Sequence, residues 1–178
     1  MTVTLFPSPA ILECTPGQYL LAVLEHQHAI TLRVLRAYPT DRLDLKPHDR
    51  ARTARDLAWT FVLLRQIARR ALTTGFDWSA PPRPFPTPPD SMEAILDALE
   101  QEHQQLAATL RDLPDARLAE PVEFLVAPKT LGPVPRLDFL WMLIFDEIHH
   151  RGQFSVYLRM AGGSVPSIYG PSADEPWL

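Results

Sequence analysis

Residues 145–176 read FDEIHHRGQFSVYLRMAGGSVPSIYGPSADEP, and the spacing inside this stretch decides the fold. Asp146, His150 and Gln153 stand four and seven positions apart, which places them on one side of a helix. The largely apolar run Leu137 to Phe145 precedes them and the Gly162-Gly163 pair follows. One helix is therefore predicted from near Pro135 to about Met160, the most apolar of the chain and hence the most buried. A carboxylate and an imidazole held inside such a core need compensation, and a metal ion bound by both would supply it. The same spacing also reads as an ion pair on a helix surface.

Three further helices are predicted upstream. The first opens at Thr15, with Pro16 in the first helical position and Gln18 placed to close a capping box; its apolar stripe includes Leu20, Leu24 and Leu35, and it stops before Pro39. The second uses Thr53 as cap with Asp56 three residues on, turns Leu57, Phe61, Leu64 and Ala68 inward, and ends near Gly75. Trp78 to Pro89 holds too many prolines, Pro82 among them, for a helix or an inner strand, and is expected as a stiff crossover. The third helix opens at Asp90 or Ser91 and repeats Ile95, Leu99, Leu106 and Leu110 before Pro114. Leu113 to Val134, broken by Pro121, Pro128 and Pro133, is expected to be irregular, with room for a short hairpin around Val122, Phe124 and Val126. The expected fold class is all-α: a four-helix bundle with a long proline-rich crossover between helices 2 and 3 and an irregular segment before helix 4. At 178 residues, 46% of them hydrophobic, the chain suffices for one core and is short for two, so residues 1–178 are read as a single domain.

Seventeen basic against 21 acidic residues leave a formal charge of −4, which argues against a nucleic-acid partner bound through phosphate neutralisation. The nearest approaches to basic clusters, Arg50 with Arg52 and Arg55, and Arg65 with Arg69 and Arg70, are expected to be solvated helix surface; His26, His48 and His103 are expected to be solvated as well. Cys14 stands alone, which excludes an intrachain disulfide and a cysteine zinc cluster. The N-terminus lacks a basic leader and carries Pro7 and Pro9, so neither a signal peptide nor an anchor is expected. A cytoplasmic protein with no membrane partner is the resulting expectation.

Two stretches carry a resemblance. DRLDLKPHDRARTARDLAWTF, Asp41 to Phe61, and HHRGQFSVYLRMAGGSVPSIYGPSADEP, His149 to Pro176, resemble the DinB-like (DinB/YfiT) superfamily of bacterial four-helix proteins, with similarity running from about Tyr19 to Pro176. The resemblance implies a metal site made of one histidine on the second helix, in the stretch matching LAWTF, and an HxxxH pair on the fourth, in the stretch matching DEIHH. Those positions fall on Thr60, Asp146 and His150. Only His150 keeps the family residue; Asp146 is an acceptable oxygen donor, whereas a neutral Thr60 hydroxyl is a poor ligand for zinc, nickel or iron.

Two arrangements stay open. In one, Asp146 and His150 keep a divalent transition metal with waters, and His28, near the apolar stripe of the first helix, serves as a replacement ligand. In the other, the metal is lost and Thr60, Asp146 and His150 form a hydrogen-bonded polar network. Glu147 is a candidate to accept an imidazole N–H and fix its tautomer, Gln153 and Arg151 are candidates for orienting a ligand, and Tyr169 for the border of the cavity. The resemblance implies a metal-dependent hydrolase or a thiol-dependent S-transferase acting with a low-molecular-weight thiol. The competing class is a non-catalytic small-molecule-binding or stress-associated bundle. A homodimer is implied by the resemblance in either case.

Overall fold

The capping residues of the sequence set where the helices begin. In the computed structural model, which describes residues 14–81, 84 and 86–178, α1 spans Pro16–Arg36 and α2 spans Ala54–Leu72. The sequence readings made on residues 1–13 and on Pro82 lie outside the described residues. Both helices start on complete capping boxes: Gln18 N–H donates to Thr15 Oγ1 (3.3 Å) and Thr15 N–H to Gln18 Oε1 (2.9 Å), with Thr53 and Asp56 repeating the exchange on α2. α3, Met92–Asp112, is capped by Ser91 through Ala94 N–H (3.2 Å). A short α4, Asp115–Ala119, leads into strands β1, Pro121–Ala127, and β2, Thr130–Pro135, and β2 passes directly into α5, Arg136–Met160. α5 ends where Gly162 adopts φ +84°, a left-handed conformation open to glycine, and Gly163 N–H bonds back to Leu158 C=O at 3.0 Å.

The chain is thus mostly helical, with five α-helices and a two-stranded sheet among the described residues. The all-α expectation is refined at residues 121–135, where the sequence reading expected an irregular segment with room for a short hairpin around Val122, Phe124 and Val126, and a hairpin forms. Val122 pairs with Val134 and Phe124 with Gly132 in an antiparallel hairpin. Its prolines remove few ladder donors because a two-stranded sheet bonds along one edge only. Phe124 seats the hairpin against Phe139 (ring centroids 4.7 Å apart) and Phe76 (5.1 Å), and Trp78 Nε1–H donates to Glu123 C=O.

The four long helices pack in a ring, α1 and α2 each against both α3 and α5. Contacts fix their directions. Arg55 meets Asp90 and Arg69 meets Glu102, so α2 and α3 run parallel. Arg136 meets the Ala71 carbonyl and Arg65 meets Glu147, so α2 and α5 run antiparallel. A parallel pair needs a connection as long as the helix, about 28 Å for nineteen residues, and the stretch between α2 and α3 returns over that length with neither helix nor strand among its described residues. Trp59 Nε1–H holds it through the Pro86 carbonyl at 2.9 Å.

Two apolar clusters fill the interior. One gathers Leu35, Phe61, Ile95 and Phe154, the other Leu20, Leu64, Leu106 and Phe139. Between them lies a polar layer to which all four long helices contribute: Gln27, His28 and Thr31 on α1, Arg65 on α2, His103 on α3, and Glu147 and Arg151 on α5, all buried. Arg65 and His103 therefore correct the expectation of solvated side chains. Arg65 lies on the same inward side as Phe61 and Ala68, and its charge is met by a carboxylate at the same depth. No helix among the described residues is long and apolar enough to cross a membrane.

Candidate functional site

The loop before α2 folds back on that helix. Arg55 N–H donates to Leu43 C=O (2.9 Å) and Ala54 N–H to Leu45 C=O (3.0 Å), which places residues 50–52 beside α5. Tyr157 on α5 clamps the loop, its hydroxyl donating to the Arg52 carbonyl at 3.0 Å. The Arg52 side chain then reaches between α2 and α5. Nη1 donates to Thr60 Oγ1 at 2.8 Å, and Nη2 lies 3.5 Å from His150 Nδ1. The Thr60 hydroxyl donates in turn to Asp56 C=O at 3.1 Å, so its hydrogen stays within α2 and a lone pair faces the guanidinium.

His150 is mostly buried and its two nitrogens are both occupied: Nε2 lies 3.4 Å from Asp146 Oδ2 and Nδ1 lies 3.1 Å from Gln153 Oε1. Gln153 Nε2 reaches His149 Nε2 at 2.9 Å. Nδ1 faces both the Gln153 amide oxygen, which only accepts, and the Arg52 guanidinium, which only donates, so it donates to the first or accepts from the second. Thr60 and His150 are therefore brought together, but through an arginine, and Asp146 sits half-exposed on the far side of the imidazole.

This donor set does not fit a transition metal. A divalent ion needs lone pairs converging on one point, with at least three protein donors for a tetrahedral zinc centre. Here a guanidinium lies between two of the three positions, Thr60 offers only a neutral hydroxyl, and Asp146 and His150 face each other. Among the described residues no group of three or more His, Cys, Asp or Glu side chains converges on one point.

The other candidates lie elsewhere. His28 stacks on His103 between α1 and α3, centroids 3.6 Å apart and planes within 5°, and is not brought together with Asp146 and His150. Burial, followed by the charges of His103, Arg65 and Arg36, lowers its pKa to about 2. Glu147 touches no imidazole. Its carboxylate takes both Arg65 Nη atoms at 2.8 Å and the Thr31 hydroxyl at 2.7 Å; burial, the largest influence, opposes its ionisation, and Arg65, Thr31 and Arg151 together outweigh it and lower its pKa. Tyr169 docks the C-terminal tail, its hydroxyl donating to Gln27 Oε1 and accepting from Arg151 Nη2. Arg151 also bonds the Gln27 carbonyl (3.1 Å) and Thr31 Oγ1 (3.0 Å), which makes it a structural group.

Arg52 is exposed, as the sequence reading expected of it with Arg50 and Arg55, but its guanidinium contacts Thr60 and His150, a role that reading did not give it. Its one sequence signal is its place immediately before the Thr53 cap, where a side chain can turn back along the first turns of α2. Beyond it opens a cavity of about 450 Å³ lined by Arg50, Arg52, Leu57, Gln153, Val156 and Tyr157. A larger groove of about 830 Å³ lies by α2, α3 and the hairpin, but its arginines already have partners: Arg69 bonds Glu102, and Arg70 bonds Gly75 C=O and covers the Phe76 ring.

Comparison with known proteins bears on this arrangement. The family model for the DinB family matches residues 13–177. The uncharacterized protein YrdA of Bacillus subtilis (strain 168) is 33% identical over 103 residues, 57% of this chain and 58% of YrdA, so the match spans little more than half of that relative's length. Among solved structures, a DinB-like protein from Bacillus cereus ATCC 10987 superposes with a TM-score of 0.69 at 25% identity, over 85% of this chain and 97% of that one. A DinB-like protein of Bacillus subtilis, YjoA, gives 0.64 at 17% identity over 83% and 95%, a likeness of fold alone.

Proposed function

The chain belongs to the DinB family, and from that premise we propose that it is a four-helix bundle that binds a small molecule without catalysis, a protein cation standing where the family resemblance puts a metal. The observation that carries this reading is the Arg52 guanidinium between Thr60 and His150. A fixed positive charge there repels a divalent ion and leaves the neighbouring groups hydrogen-bonded. The open cavity beside it is of ligand size.

The second reading is a metal-dependent hydrolase or thiol-dependent S-transferase with an altered site. It is favoured by one observation: Asp146 and His150 keep the i, i+4 placement of a two-ligand pair, with Asp146 half-exposed. Elemental analysis of untagged protein, purified without added metal, separates the two readings. The wild type is expected to be free of zinc, nickel and iron, and Arg52→Ala with Thr60→His and Asp146→His is expected to take up zinc. Near-stoichiometric metal in the wild type, lost on His150→Ala, would reverse the order of the readings.

The expected partner is a second copy of this chain, docked on α5. Met142, Phe145, His149, Gly152, Val156 and Met160 form an exposed stripe at helical spacing. The stripe is close to symmetric about its centre: in an antiparallel pair of α5 helices, Met142 faces Met160 of the second copy, Phe145 faces Val156, and His149 faces Gly152. Self-complementarity of this kind is what a two-fold interface requires. A glycine inside a helix costs about 1 kcal/mol against alanine. Among the described residues, its own helix turn apart, nothing lies within 4 Å of a β-carbon built on Gly152, so a close-approaching second helix supplies the reason for glycine there.

A further inference from the structure

We propose that the cavity beside Arg52 is an anion site, taking a small molecule with a carboxylate or phosphate head and an apolar body. The inference rests on the small-molecule reading above and adds the chemical class of the ligand.

The starting point is an imbalance of charge. The chain has 21 acidic residues for 17 basic ones, so acidic partners are plentiful. The arginines nearby use them: Arg55 pairs with Asp90 and Asp44, Arg65 with Glu147, and Arg69 with Glu102. Arg50 and Arg52, the two that line the cavity, have no carboxylate within ion-pair distance among the described residues.

Arg52 is also held in place. Its carbonyl accepts from Tyr157, and its guanidinium bonds Thr60, a buried residue whose own hydroxyl is fixed to Asp56 C=O. Two of its five N–H groups are directed at Thr60 and His150, which leaves three for another acceptor. A guanidinium fixed in this way presents a preformed fork, the geometry that carboxylate and phosphate oxygens match in pairs. Arg50 brings a second cation whose side chain makes no hydrogen bond among the described residues, and Gln153 adds an amide on the α5 side. The rest of the wall is apolar or aromatic, from Leu57, Val156 and Tyr157. Two cations in the lining of a cavity whose other walls are largely apolar select an anionic head joined to an apolar body, in preference to a bare ion.

Isothermal titration calorimetry at constant ionic strength tests this with phenyl phosphate, benzoate and inorganic phosphate as probes. Phenyl phosphate or benzoate is expected to bind saturably, one per chain, and more tightly than inorganic phosphate. Arg50→Gln, which removes no side-chain hydrogen bond among the described residues, is expected to weaken binding at least fivefold, and Arg52→Gln at least tenfold. Arg42→Gln, an exposed arginine away from the cavity, is expected to leave binding unchanged. The proposal is overturned if neither aromatic probe saturates the wild type, or if Arg50→Gln and Arg52→Gln bind as the wild type does. Failure here with metal-free wild-type protein leaves the proposed function standing, whereas zinc found in the wild type removes both.

Discussion

Glu147 carries the largest single-residue consequence. Its carboxylate is fully buried and accepts three hydrogen bonds, two from the Arg65 guanidinium and one from Thr31. Glu147→Gln leaves the Arg65 charge buried without a counter-charge, a change that costs about 3–5 kcal/mol when a buried pair is broken from one side. Urea unfolding is expected to show that loss, while Glu147→Leu with Arg65→Met is expected to recover most of it, because both desolvation costs are removed together. Equal stability of Glu147→Gln and wild type would mean that water reaches the pair. At this scale the sequence was partly legible. Periodicity placed Asp146, His150 and Gln153 on one side of α5, and the structure agrees. Periodicity was silent on Arg52, because the loop before a helix has no repeat to read and a long side chain goes wherever tertiary contacts send it.

α5 shows why burial on one face did not exhaust the helix. Its inner side carries Phe139, Leu143, Glu147 and Phe154, and its outer side is apolar as well, with Phe145 63% exposed and Val156 57% exposed. A helix apolar all round is expected to be covered on both sides. Sedimentation equilibrium is expected to give a dimer for the wild type and a monomer for Phe145→Glu, with unchanged helical circular dichroism in both. A monomeric wild type at every concentration would remove α5 as the docking surface. Helix ends were the best-read feature of the elements, since a Thr-x-x-Gln or Thr-x-x-Asp cap is a local hydrogen-bonding device and its partners are named by spacing. The hairpin was read only as an option within an irregular stretch, because its pairing is stabilised from outside, by Phe76, Trp78 and Phe139.

The whole molecule's stability against pH follows from the polar layer. His28 faces His103, Arg65 and Arg36, and its folded pKa of about 2 lies far below the unfolded value of 6.5. Above that unfolded value neither state binds the proton and the group contributes nothing. As pH falls, the unfolded chain takes up a proton that the native state refuses, and stability drops by about 1.4 kcal/mol per pH unit for this one imidazole. His103 adds to the effect in the same direction, burial lowering its pKa although the Glu25 carboxylate at 2.8 Å counters it. Unfolding free energies from urea titrations at pH 7.5 and pH 5 are expected to differ by about 2 kcal/mol more for the wild type than for His28→Phe. Equal pH dependence in the two proteins would mean that His28 titrates normally. The sequence by itself determined the long helices, their caps and breaks, and the face shared by Asp146 and His150, because these follow from neighbours a few residues apart. Only the tertiary structure decided that Arg65 pairs with Glu147 across 82 positions of chain, that His28 stacks on His103, and that Arg52 stands between Thr60 and His150. The reason is physical: a polar side chain settles where another element places its partner at the same depth, and no local pattern records which element that is.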